Sequence, residues 1–341
     1  MLAKELTDDI IVLPDAPGIA GLTFRGFRGE VDYPVMLAVI DGSKEADGIE
    51  RTDSVEDIAR NYQYLTNCDP FQDMLFAAVD GQVTSYGRVS WNQTSEGERI
   101  HNHFNFMLPE WRGQGIRRAM LHYHERRLRE IAAGHPPDGR CWFEGWAADT
   151  EEDWESLLVR EGYEAVRHAF EMVRPHLNGI PALPLPDGLE VRRAKPEHYR
   201  LIWEASKEAF RDSWQYSEDW FSDEAYESWQ KDSTFQPELW QIAWDGNQVA
   251  GMVQSFIHRE ENEEYGRRRG YTEGICVRRP WRRRGLARAL IARSFGILRD
   301  LGMEEAALGV DTQNPSGALR LYESMGFRPV KRHTVYRKLM D

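Results

Sequence analysis

The feature that most constrains the fold of this chain is a plan of motifs that occurs twice along its 341 residues. Each copy carries, in the same order, two alternating apolar segments joined by an Asp-Gly pair, a Trp-Arg-x-x-Gly segment, and a segment that ends in Gly and an aromatic residue. These landmarks lie at 74–91, 111–115 and 157–163 in the first copy and at 239–257, 281–285 and 321–327 in the second. Their offset of about 165 residues predicts two tandem units of roughly 150–170 residues each.

A proline-rich segment separates the two copies. Residues 174–188 read RPHLNGIPALPLPDG, and the four prolines prevent a continuous helix and weaken strand pairing. Such a composition is typical of an extended linker. We therefore expect an N-terminal domain at 1–174, a linker at 175–188 and a C-terminal domain at 189–341.

Each copy has the same coarse pattern of strands and helices. In the second copy, 271–277 and 306–310 have the composition of strands. The segment after Gly285 has apolar residues at helical spacing as far as Gly302, a residue that suits the end of a helix. Asn314, followed by proline, predicts the N-cap of a further helix. The order predicts a mixed α/β fold: two tandem domains, each a twisted, mostly antiparallel mixed sheet flanked by helices.

The composition excludes several classes of protein. The 43 basic and 56 acidic residues give a net charge of −13, which disfavours binding to nucleic acid. No apolar run approaches the ~20 residues that span a bilayer, and the start of the chain, MLAKELTDDI, lacks the apolar region of a signal peptide. The cysteines are too few and too far apart for a disulfide framework or a zinc site; they are Cys68, Cys141 and Cys276. We expect a cytoplasmic monomer or homodimer without a bound metal and without a membrane or nucleic-acid partner.

The strongest chemical signal is an arginine-rich turn between a predicted strand and a predicted helix. Small residues, Gly285 and Ala287, follow it, and its five arginines are Arg278, Arg279, Arg282, Arg283 and Arg284. Successive backbone N–H groups at such a turn, with a helix N-terminus behind them, form a cradle for an anion. The segment matches neither a P-loop nor a GxGxxG motif. In an acidic chain it indicates a compact polyanion such as a pyrophosphate; the alternative is a solvated basic turn that caps a helix.

Two motifs of the second copy resemble those of the GNAT acyl-CoA N-acyltransferase superfamily. A strand followed by R/Q-x-x-G-x-G/A is matched by Arg282, Gly285 and Ala287. An asparagine before an LYExxGF helix is matched by Asn314 and residues 321–327. The whole chain is similar to tandem, two-domain GNAT proteins, a group that includes mycothiol synthase.

The resemblance implies a site for acetyl-CoA. The pyrophosphate would lie on the turn, at Arg282, Arg283, Arg284, Gly285, Leu286 and Ala287. The pantetheine arm would bond to the strand backbone near Ile275 and Val277 and contact Asn314. Because Asn314 lies eight residues before Tyr322, one more than is commonest in the family, a plain N-cap is its alternative role. Backbone N–H groups near Cys276 and Val277 would stabilise the oxygen charge that develops during acyl transfer.

The resemblance also implies an acid and a base, because in this family the acceptor amine attacks the thioester directly. Tyr322 is the candidate acid, since the phenol pKa of about 10 is close to that of an alkyl thiol. Glu273 is the candidate base; it lies on the same strand face as Tyr271, where family members often place a glutamate. A structural carboxylate and a water relay are the alternatives. Cys276 is disfavoured as an acyl-enzyme nucleophile, because nothing beside it in the sequence would activate a thiol.

An aromatic and acidic segment at 210–229 is the candidate acceptor site. Its aromatic residues are Phe210, Trp214, Tyr216, Trp220, Phe221, Tyr226 and Trp229, and its carboxylates are Asp212, Glu218, Asp219, Asp223, Glu224 and Glu227. Aromatic walls with carboxylates suit a cationic amine. A pair of amphipathic helices with a solvated acidic face explains the same pattern.

The first copy departs from these motifs. Arg117 takes the place of the small residue after the turn glycine, and Leu158 takes the place of the tyrosine. No asparagine precedes the corresponding helix. We therefore expect a degenerate, non-catalytic first domain, which either holds CoA or only packs against its partner. His101 and His103 alternate on a strand near this turn, and a structural role is favoured for them over a metal or base role.

Together these observations predict an N-acetyltransferase that transfers an acetyl group from acetyl-CoA to the primary amine of a small molecule, in the C-terminal domain. A CoA-binding sensor or assembly module without turnover is one alternative. A protein or peptide N-acetyltransferase is the other. No residue identifies the acceptor amine.

Overall fold

A computed structural model describes residues 10–341 of the chain, which fall into two units. The first unit extends to Val166 and also includes Val335–Asp341, and the second is Arg167–Thr334. Residues 1–9, on which the expected absence of a signal peptide rests, lie outside the described residues.

This division differs from the expected domain boundaries in two places, before the proline-rich segment and at the end of the chain. The strand before that segment pairs with a strand of the second unit, so the segment begins inside that unit. Residues 175–188 contain no helix or strand, but Leu177 is buried and its N–H donates to the carbonyl of Glu304 at 2.9 Å. The end of the chain belongs to the first unit, where Nε of Arg337 donates to Glu144 at 2.9 Å.

The first unit is a mixed sheet with helices on it. Its strands are β1 (Leu22–Arg25), β2 (Met74–Val79), β3 (Gln82–Gln93), β4 (Arg99–Met107) and β5 (Cys141–Ala148), and its helices are α1 (Tyr33–Lys44), α2 (Val55–Gln63), α3 (Pro70–Asp73), α4 (Ile116–Ala133) and α5 (Glu152–Arg160). The strands lie in the order β1-β2-β3-β4-β5. All neighbours are antiparallel except β4 and β5, which are parallel.

Two strands are divided between the units, and the second unit has a sheet of the same kind. The divided strands are β6 (Glu164–Arg174) and β12 (Arg328–Leu339). The remaining elements of the second unit are β7 (Glu190–Arg192), α6 (Tyr199–Phe210), α7 (Asp223–Lys231), β8 (Gln241–Asp245), β9 (Gln248–Phe256), α8 (Arg259–Glu264), β10 (Arg269–Val277), α9 (Leu286–Asp300), β11 (Glu305–Asp311) and α10 (Ala318–Ser324). The order is β12-β6-β11-β10-β9-β8-β7, and only β10 and β11 are shown to be parallel.

Both predicted hairpins form. Asp80 and Gly81 make the turn between β2 and β3 with φ of 49° and 83°, the left-handed values that a two-residue turn requires. In the second hairpin, Asp245 is the last residue of β8 and pairs with Gln248. The turn therefore consists of Gly246, with φ of 56°, and the residue after it, one position later than the sequence predicted.

The sheet of the second unit has two distinct faces. Leu308 of β11 and Phe295 of α9 belong to the core on one face. Ile202 of α6 and Met252 of β9 belong to a separate core on the other face. The predicted end of α9 is confirmed, because Gly302 has φ of 86° directly after the helix.

No helix within residues 10–341 is both long enough and apolar enough to cross a membrane. In the same part of the chain, no three His, Cys, Asp or Glu side chains are grouped so that they could hold a metal ion.

Candidate active site

Two parallel strands of the second unit part after a short paired region. β10 pairs with β11 only at 269–271 and then continues along β9, with a bulge between Glu273 and Cys276. Gly274, inside the bulge, has φ of 57°, and a Cβ there would lie 2.4 Å from Oε1 of Gln254. Glycine is therefore needed at this position. The result is a gap between two strand edges, which present backbone N–H and C=O groups to a ligand.

The residues expected beside the pantetheine arm form the β10 side of this gap. Ile275 and Val277 pack toward the core beneath α9, whereas Cys276 is buried on the opposite face. Burial raises the pKa of the Cys276 thiol to about 12, so the thiol is neutral near pH 7. This environment favours a structural cysteine. The carbonyl of Val277 accepts a hydrogen bond from Nε of Arg282 at 2.9 Å, which fixes the end of the strand.

The arginine-rich turn leads from β10 into α9 through left-handed backbone. Arg283 has φ of 60°, and Gly285, the N-cap of α9, has φ of 83°. The first helical bond runs from the N–H of Ala289 to the carbonyl of Gly285, so the N–H groups of Leu286 and Ala287 have no helical acceptor. No side chain caps the helix, and a Cβ built on Gly285 would meet no atom within 4 Å. The turn therefore has the backbone form that the predicted anion site requires.

The five arginines of the turn divide into two groups. Three of them bind other parts of the second unit: Arg278 to Glu208 at 2.8 Å, Arg279 to Asp212, and Arg282 to Asp212 at 2.7 Å. Hydrogen bonds from Arg279 and Arg282 lower the pKa of Asp212 to about 2. Arg284 is exposed and donates only to the carbonyl of Asp187 at 3.1 Å, and Arg283 has no ion pair or hydrogen bond to a described residue. Two guanidinium groups, rather than five, are thus available to a ligand.

Asn314 does not begin a helix, and this prediction is wrong. Its Oδ1 accepts from the N–H of Ser316 at 2.9 Å and from the Ser316 hydroxyl at 2.7 Å, which forms a turn. The helix α10 begins three residues later than predicted, at Ala318, with Gly317 in left-handed conformation as its N-cap. Proline after Asn314 fits this turn as well as it fits a helix start. The amide hydrogens of Asn314 are the groups that could bind a ligand.

Glu273 bridges the gap between the parted strands. Continued by two residues, the register of β10 and β11 places it opposite Gly309, whose N–H donates to Oε1 of Glu273 at 2.7 Å. The neighbours Leu308 and Val310 point into the core beneath α9, so Glu273 and Gly309 lie on the other face of the sheet. Burial raises the pKa of Glu273 to about 7, and the bond from Gly309 opposes that shift. A carboxylate with this pKa suits a general base.

Tyr322 lies on α10, beside the same gap. Its side chain is 6% exposed, and its ring packs edge-on against Phe327 at 6.1 Å between centroids. Burial raises the pKa of the phenol, and the charge of the nearby Glu273 carboxylate raises it further. The phenol therefore stays protonated near pH 7. Among residues 10–341, its hydroxyl has no hydrogen-bond partner.

Many residues of the aromatic and acidic segment at 210–229 have structural contacts in and between α6 and α7. Several of its rings pack on aromatic neighbours, and some of its carboxylates bind nearby cations. The ring pairs include Trp203–Trp229 (5.2 Å) and Tyr226–Trp229 (5.8 Å), and the ion pairs include Glu218–Lys207 (2.7 Å) and Asp223–Arg200 (2.8 Å). These contacts favour the structural alternative for these residues. The ring of Trp214 stacks instead on Arg167, of β6.

Sequence reasoning missed two contributors to this site. Asp212 was only one of many carboxylates, and its contact with Arg282 joins positions 70 residues apart. Gly309 had a detectable signal, because Gly145 stands at the same place in the first copy of the repeat.

Comparisons with known proteins match this geometry. The model of the acetyltransferase (GNAT) family matches residues 199–327. The mycothiol acetyltransferase of Salinispora arenicola is 26% identical over 272 residues, which are 79% of this chain and 82% of that protein. The GCN5-related N-acetyltransferase of Sphaerobacter thermophilus is 25% identical with a TM-score of 0.70, over 96% of this chain and 97% of that chain. Residues 199–327 thus form an acetyltransferase domain of the GNAT family. GNAT acetyltransferases use acetyl-CoA as co-substrate.

The predicted family, fold class and enzyme class are therefore confirmed: the chain is an N-acetyltransferase with two tandem GNAT-like domains. A tandem GNAT protein from the clavulanic acid biosynthesis pathway shares this fold, with 13% identity and a TM-score of 0.65 over 94% of this chain and 99% of that chain.

The first GNAT-like unit also has parted strands, but one of its own side chains lies in the gap. β4 and β5 pair over four residues only, and beyond them Nη2 of Arg117 donates to the carbonyl of Asn105 at 2.6 Å. The buried guanidinium lies over the ring of Trp154, 4.4 Å from its centroid. Counted from the Trp-Arg motif, Asn105 corresponds to Ile275 and Arg117 to Ala287.

Histidine replaces the candidate base in the first unit. His103 corresponds to Glu273 and lies against Gly145, where a Cβ would be 3.0 Å from its ring. Burial lowers the pKa of His103 to about 3, so the ring is neutral, and its Nε2 is hydrogen-bonded to the hydroxyl of Tyr163 at 2.9 Å. This environment supports a structural role for His103.

The turn of the first GNAT-like unit keeps its backbone form but is partly covered. Gly113 and Gly115 have φ of 70° and 89°, as in the second unit. A Cβ on Gly115 would lie 3.5 Å from Pro17, whereas the same test on Gly285 finds open space. The first unit thus offers less room for a diphosphate.

Proposed function

We propose that the second unit transfers an acetyl group from acetyl-CoA to the primary amine of a small molecule, by direct attack of the amine on the thioester. The observation that carries the proposal is the position of Glu273 and Tyr322. Both flank one gap between parted strands, next to a helix N-terminus that suits a diphosphate.

The turn after β10 fits the diphosphate of CoA. The N–H groups of Leu286 and Ala287 lack a helical acceptor, and Gly285 leaves space beside them. The exposed guanidinium groups of Arg283 and Arg284 supply positive charge without losing an internal ion pair. Asp212 occupies the other side of the turn, and its negative charge directs an anion toward these two arginines.

The edge of β10 fits the pantetheine arm. Beyond residue 271 this edge has no β11 partner, so the backbone at Ile275 and Cys276 faces the gap. Backbone N–H groups at this edge suit the acyl oxygen as it gains negative charge. The amide hydrogens of Asn314 lie at the end of β11 and suit a pantetheine carbonyl.

Glu273 and Tyr322 transfer protons during the reaction, Glu273 as the base and Tyr322 as the acid. Bound acetyl-CoA supplies an activated thioester carbonyl. Glu273 takes a proton from the incoming ammonium group, which has no free electron pair until it is deprotonated. Oε1 of Glu273 already accepts from Gly309, so the other oxygen is the one that receives the proton. Tyr322 stays protonated because of burial and donates its proton to the departing sulfur as the C–S bond breaks. The second proton of the attacking nitrogen then leaves as the amide forms and replaces the one that Tyr322 gave up.

A small, polar acceptor agrees with the surroundings of Glu273. The ion pair Arg167–Asp311, at 2.6 Å, and the hydrogen-bonded pair His333–Glu171, at 2.6 Å, border this face of the sheet. The name of the most extensively matched enzymes, mycothiol acetyltransferase, also supports a small-molecule acceptor. The acceptor is the only partner that the proposal requires, and either a monomer or a homodimer fits it.

The proposal assigns no acetyl transfer to the first unit. Its gap contains Arg117, and Leu158 stands where the second unit has its tyrosine. Leu158 is fully buried and has no proton to donate. The first unit keeps the fold without the chemistry.

The proposal is tested by the release of free CoA thiol from acetyl-CoA in the presence of primary amines. The panel contains ethanolamine, spermidine, tyramine, D-glucosamine and a short peptide with a free N-terminus. We expect thiol release well above the rate without amine for at least one small amine, and an acetylated product by mass spectrometry.

Two other results would redirect the assignment. Binding of CoA by calorimetry without amine-dependent thiol release would indicate a sensor or assembly module. Turnover with the peptide alone would indicate a protein N-acetyltransferase.

A further inference from the structure

The loop at 211–217 joins two positions on either side of the gap in the second unit. We propose that Trp214, on this loop, is the side chain that selects the acceptor. The inference rests on the proposed function, which supplies the reaction, and it goes further by naming a specificity-determining residue.

The first anchor of the loop is Asp212, at the arginine-rich turn. Its carboxylate accepts from Nη1 of Arg282 at 2.7 Å and from Nε of Arg279 at 3.2 Å. Arg282 also donates to the carbonyl of Ala209 at 3.2 Å and to that of Val277 at 2.9 Å. These bonds fix the start of the loop at the carboxyl end of β10.

The second anchor is Trp214, at the end of β11. Its ring lies over the guanidinium of Arg167, with 4.8 Å between the charge centre and the ring centroid. Arg167 in turn donates to both carboxylate oxygens of Asp311, at 2.9 and 2.6 Å, and to the carbonyl of Gln313 at 3.2 Å. A bidentate pair of this kind holds the guanidinium, and therefore the ring above it, in one orientation.

The two anchors lie at the carboxyl ends of the two strands that part, so the loop crosses the gap. It returns to the interior at Tyr216, which is 2% exposed. Asp311 is two residues beyond Gly309 on the same face, about 7 Å along the strand. The N–H of Gly309 holds Glu273. Trp214 therefore stands over the face of the sheet on which the proposed base receives its proton.

The backbone of the loop supports a functional role. Outside glycine, four of the described residues have φ in the left-handed region. Asn67 and Asp80 are of types that adopt it readily, whereas Gln215 and Arg283 are not. Gln215 lies in this loop and Arg283 in the turn, one on each side of the site. Strain of this kind persists where the surroundings fix the backbone, and it is concentrated at ligand sites.

The first unit has the same crossing loop without an aromatic residue. Asp47 pairs with Arg112 of the first turn at 2.7 Å, and a Cβ on Gly48 would lie 3.3 Å from Thr150, which corresponds to Asn314. Residues 45–50 read EADGIE. The loop is thus part of the fold, and the tryptophan is what the second unit adds to it.

A tryptophan whose orientation is fixed favours a flat, apolar group on its ligand, through stacking. We therefore expect the preferred acceptor to contain a ring as well as its primary amine, rather than an open chain alone. The probes are tyramine and D-glucosamine as ring amines, which contain a ring, and ethanolamine and spermidine as chain amines, which do not.

The test measures kcat and KM for each amine in the wild type and in Trp214→Ala. We expect the KM of the better ring amine to rise at least ten-fold, the KM of the chain amines to change less than two-fold, and the Kd of CoA to stay the same. Trp214→Phe should recover most of the loss. The matched control is Trp146→Ala, a tryptophan of the first unit that is 47% exposed; it should change none of these values.

Three results would overturn the inference. An unchanged KM for ring amines would mean that Trp214 does not contact the acceptor. An equal rise in KM for ring and chain amines would mean that Trp214 has only a structural role. Both leave the proposed function standing, because the wild type still turns over. A wild type that acetylates no amine of the panel contradicts the proposed function together with this inference.

Discussion

The two units of this chain have the same turn and the same parted strands, but they treat the gap in opposite ways. In the first unit, Arg117 folds into the gap and binds the carbonyl of Asn105. In the second, the same position is Ala287, whose methyl group is too short to enter the gap, and the corresponding carbonyl belongs to Ile275. We therefore expect the residue two positions after the turn glycine to decide whether the gap receives a ligand or the chain's own side chain.

The units share a set of hydrogen bonds that braces the turn, but they do not share the candidate acid and base. In each, the arginine of the Trp-Arg motif binds the end of the preceding strand and an aspartate that follows the preceding helix. The partners are Met107 carbonyl (3.1 Å) and Asp47 (2.7 Å) for Arg112, and Val277 carbonyl (2.9 Å) and Asp212 (2.7 Å) for Arg282. Because the brace survives in the unit that lacks Tyr322 and Glu273, its role is to hold the turn in place.

The most direct test of this difference between the units is to exchange the residue at the gap. Ala287→Arg should place a guanidinium beside Ile275 and weaken CoA binding at least a hundred-fold, because the gap is then occupied. Arg117→Ala should leave the Kd of CoA for the second unit unchanged. Calorimetry with CoA measures both, and the wild type should bind one CoA per chain.

A stoichiometry of two in the wild type would contradict the comparison. So would Ala287→Arg with wild-type affinity, provided that its thermal unfolding shows a folded protein.

The units should also differ in acid stability. His101, His103 and His124 of the first unit are buried, and burial lowers their pKa to about 4, 3 and 3. Unfolded histidine has a pKa of about 6.5, so between pH 6.5 and 4 the unfolded chain binds protons that the folded unit does not. The free energy of unfolding should fall by up to about 4 kcal/mol per pH unit for three such groups.

No described histidine of the second unit is fully buried, so its stability should depend less on pH in this range. Hydrogen exchange at pH 7, 6 and 5 follows both units in one molecule, and the first should lose protection earlier. Equal losses in the two units would count against the buried histidines as the cause.

Loss of the proposed acid should reduce turnover strongly without affecting binding. Tyr322→Phe removes the proton donor and keeps the ring that packs on Phe327. We expect kcat to fall about a hundred-fold or more, within the range for a general acid, and the Kd of CoA to stay the same. The control is Tyr271→Phe, which removes the hydroxyl of a half-buried tyrosine of the same unit that binds Glu261 instead. A kcat within three-fold of the wild type would exclude Tyr322 as the acid.

The ionisation of the proposed base, Glu273, should determine how kcat/KM depends on pH. With a pKa of about 7, Glu273 loses its proton as pH rises, so kcat/KM should increase with pH up to about 7 and then level off. Glu273→Gln should remove this rise and lower kcat/KM about 10- to 100-fold at pH 8. The matched control is Glu171→Gln, a carboxylate on the other side of Gly309. A rise near pH 7 that persists in Glu273→Gln would assign it to another group.

Local motifs of this chain could be predicted from the sequence, because each has a local cause. Asp80-Gly81 makes a hairpin turn because both residues adopt left-handed backbone readily, and Gly302 ends α9 for the same reason. The turn at Gly285 was found for the same physical reason. The repeat then extended these local predictions to both units.

Features set by distant contacts could not be predicted. The sequence alone treats the five arginines of the turn as equal, but Asp212, far away in the chain, removes two of them from ligand binding. The pKa of Glu273 depends on burial between parted strands, which no spacing reveals. The predicted start of α10 was wrong because the N–H of Ser316 binds the side chain of Asn314, and the resulting turn precedes the helix.

The smallest expected effect concerns Asn314, where the two units differ least in shape. The corresponding Thr150 packs near Gly48, whereas Asn314 keeps amide hydrogens for a ligand. Asn314→Ala should raise the KM of acetyl-CoA about two- to ten-fold, the effect of one lost hydrogen bond, and Thr150→Ala should not change it. An unchanged KM in Asn314→Ala would mean that Asn314 only forms the turn and does not bind acetyl-CoA. A loss beyond a hundred-fold would instead mean that this turn positions Tyr322, because α10 begins directly after it.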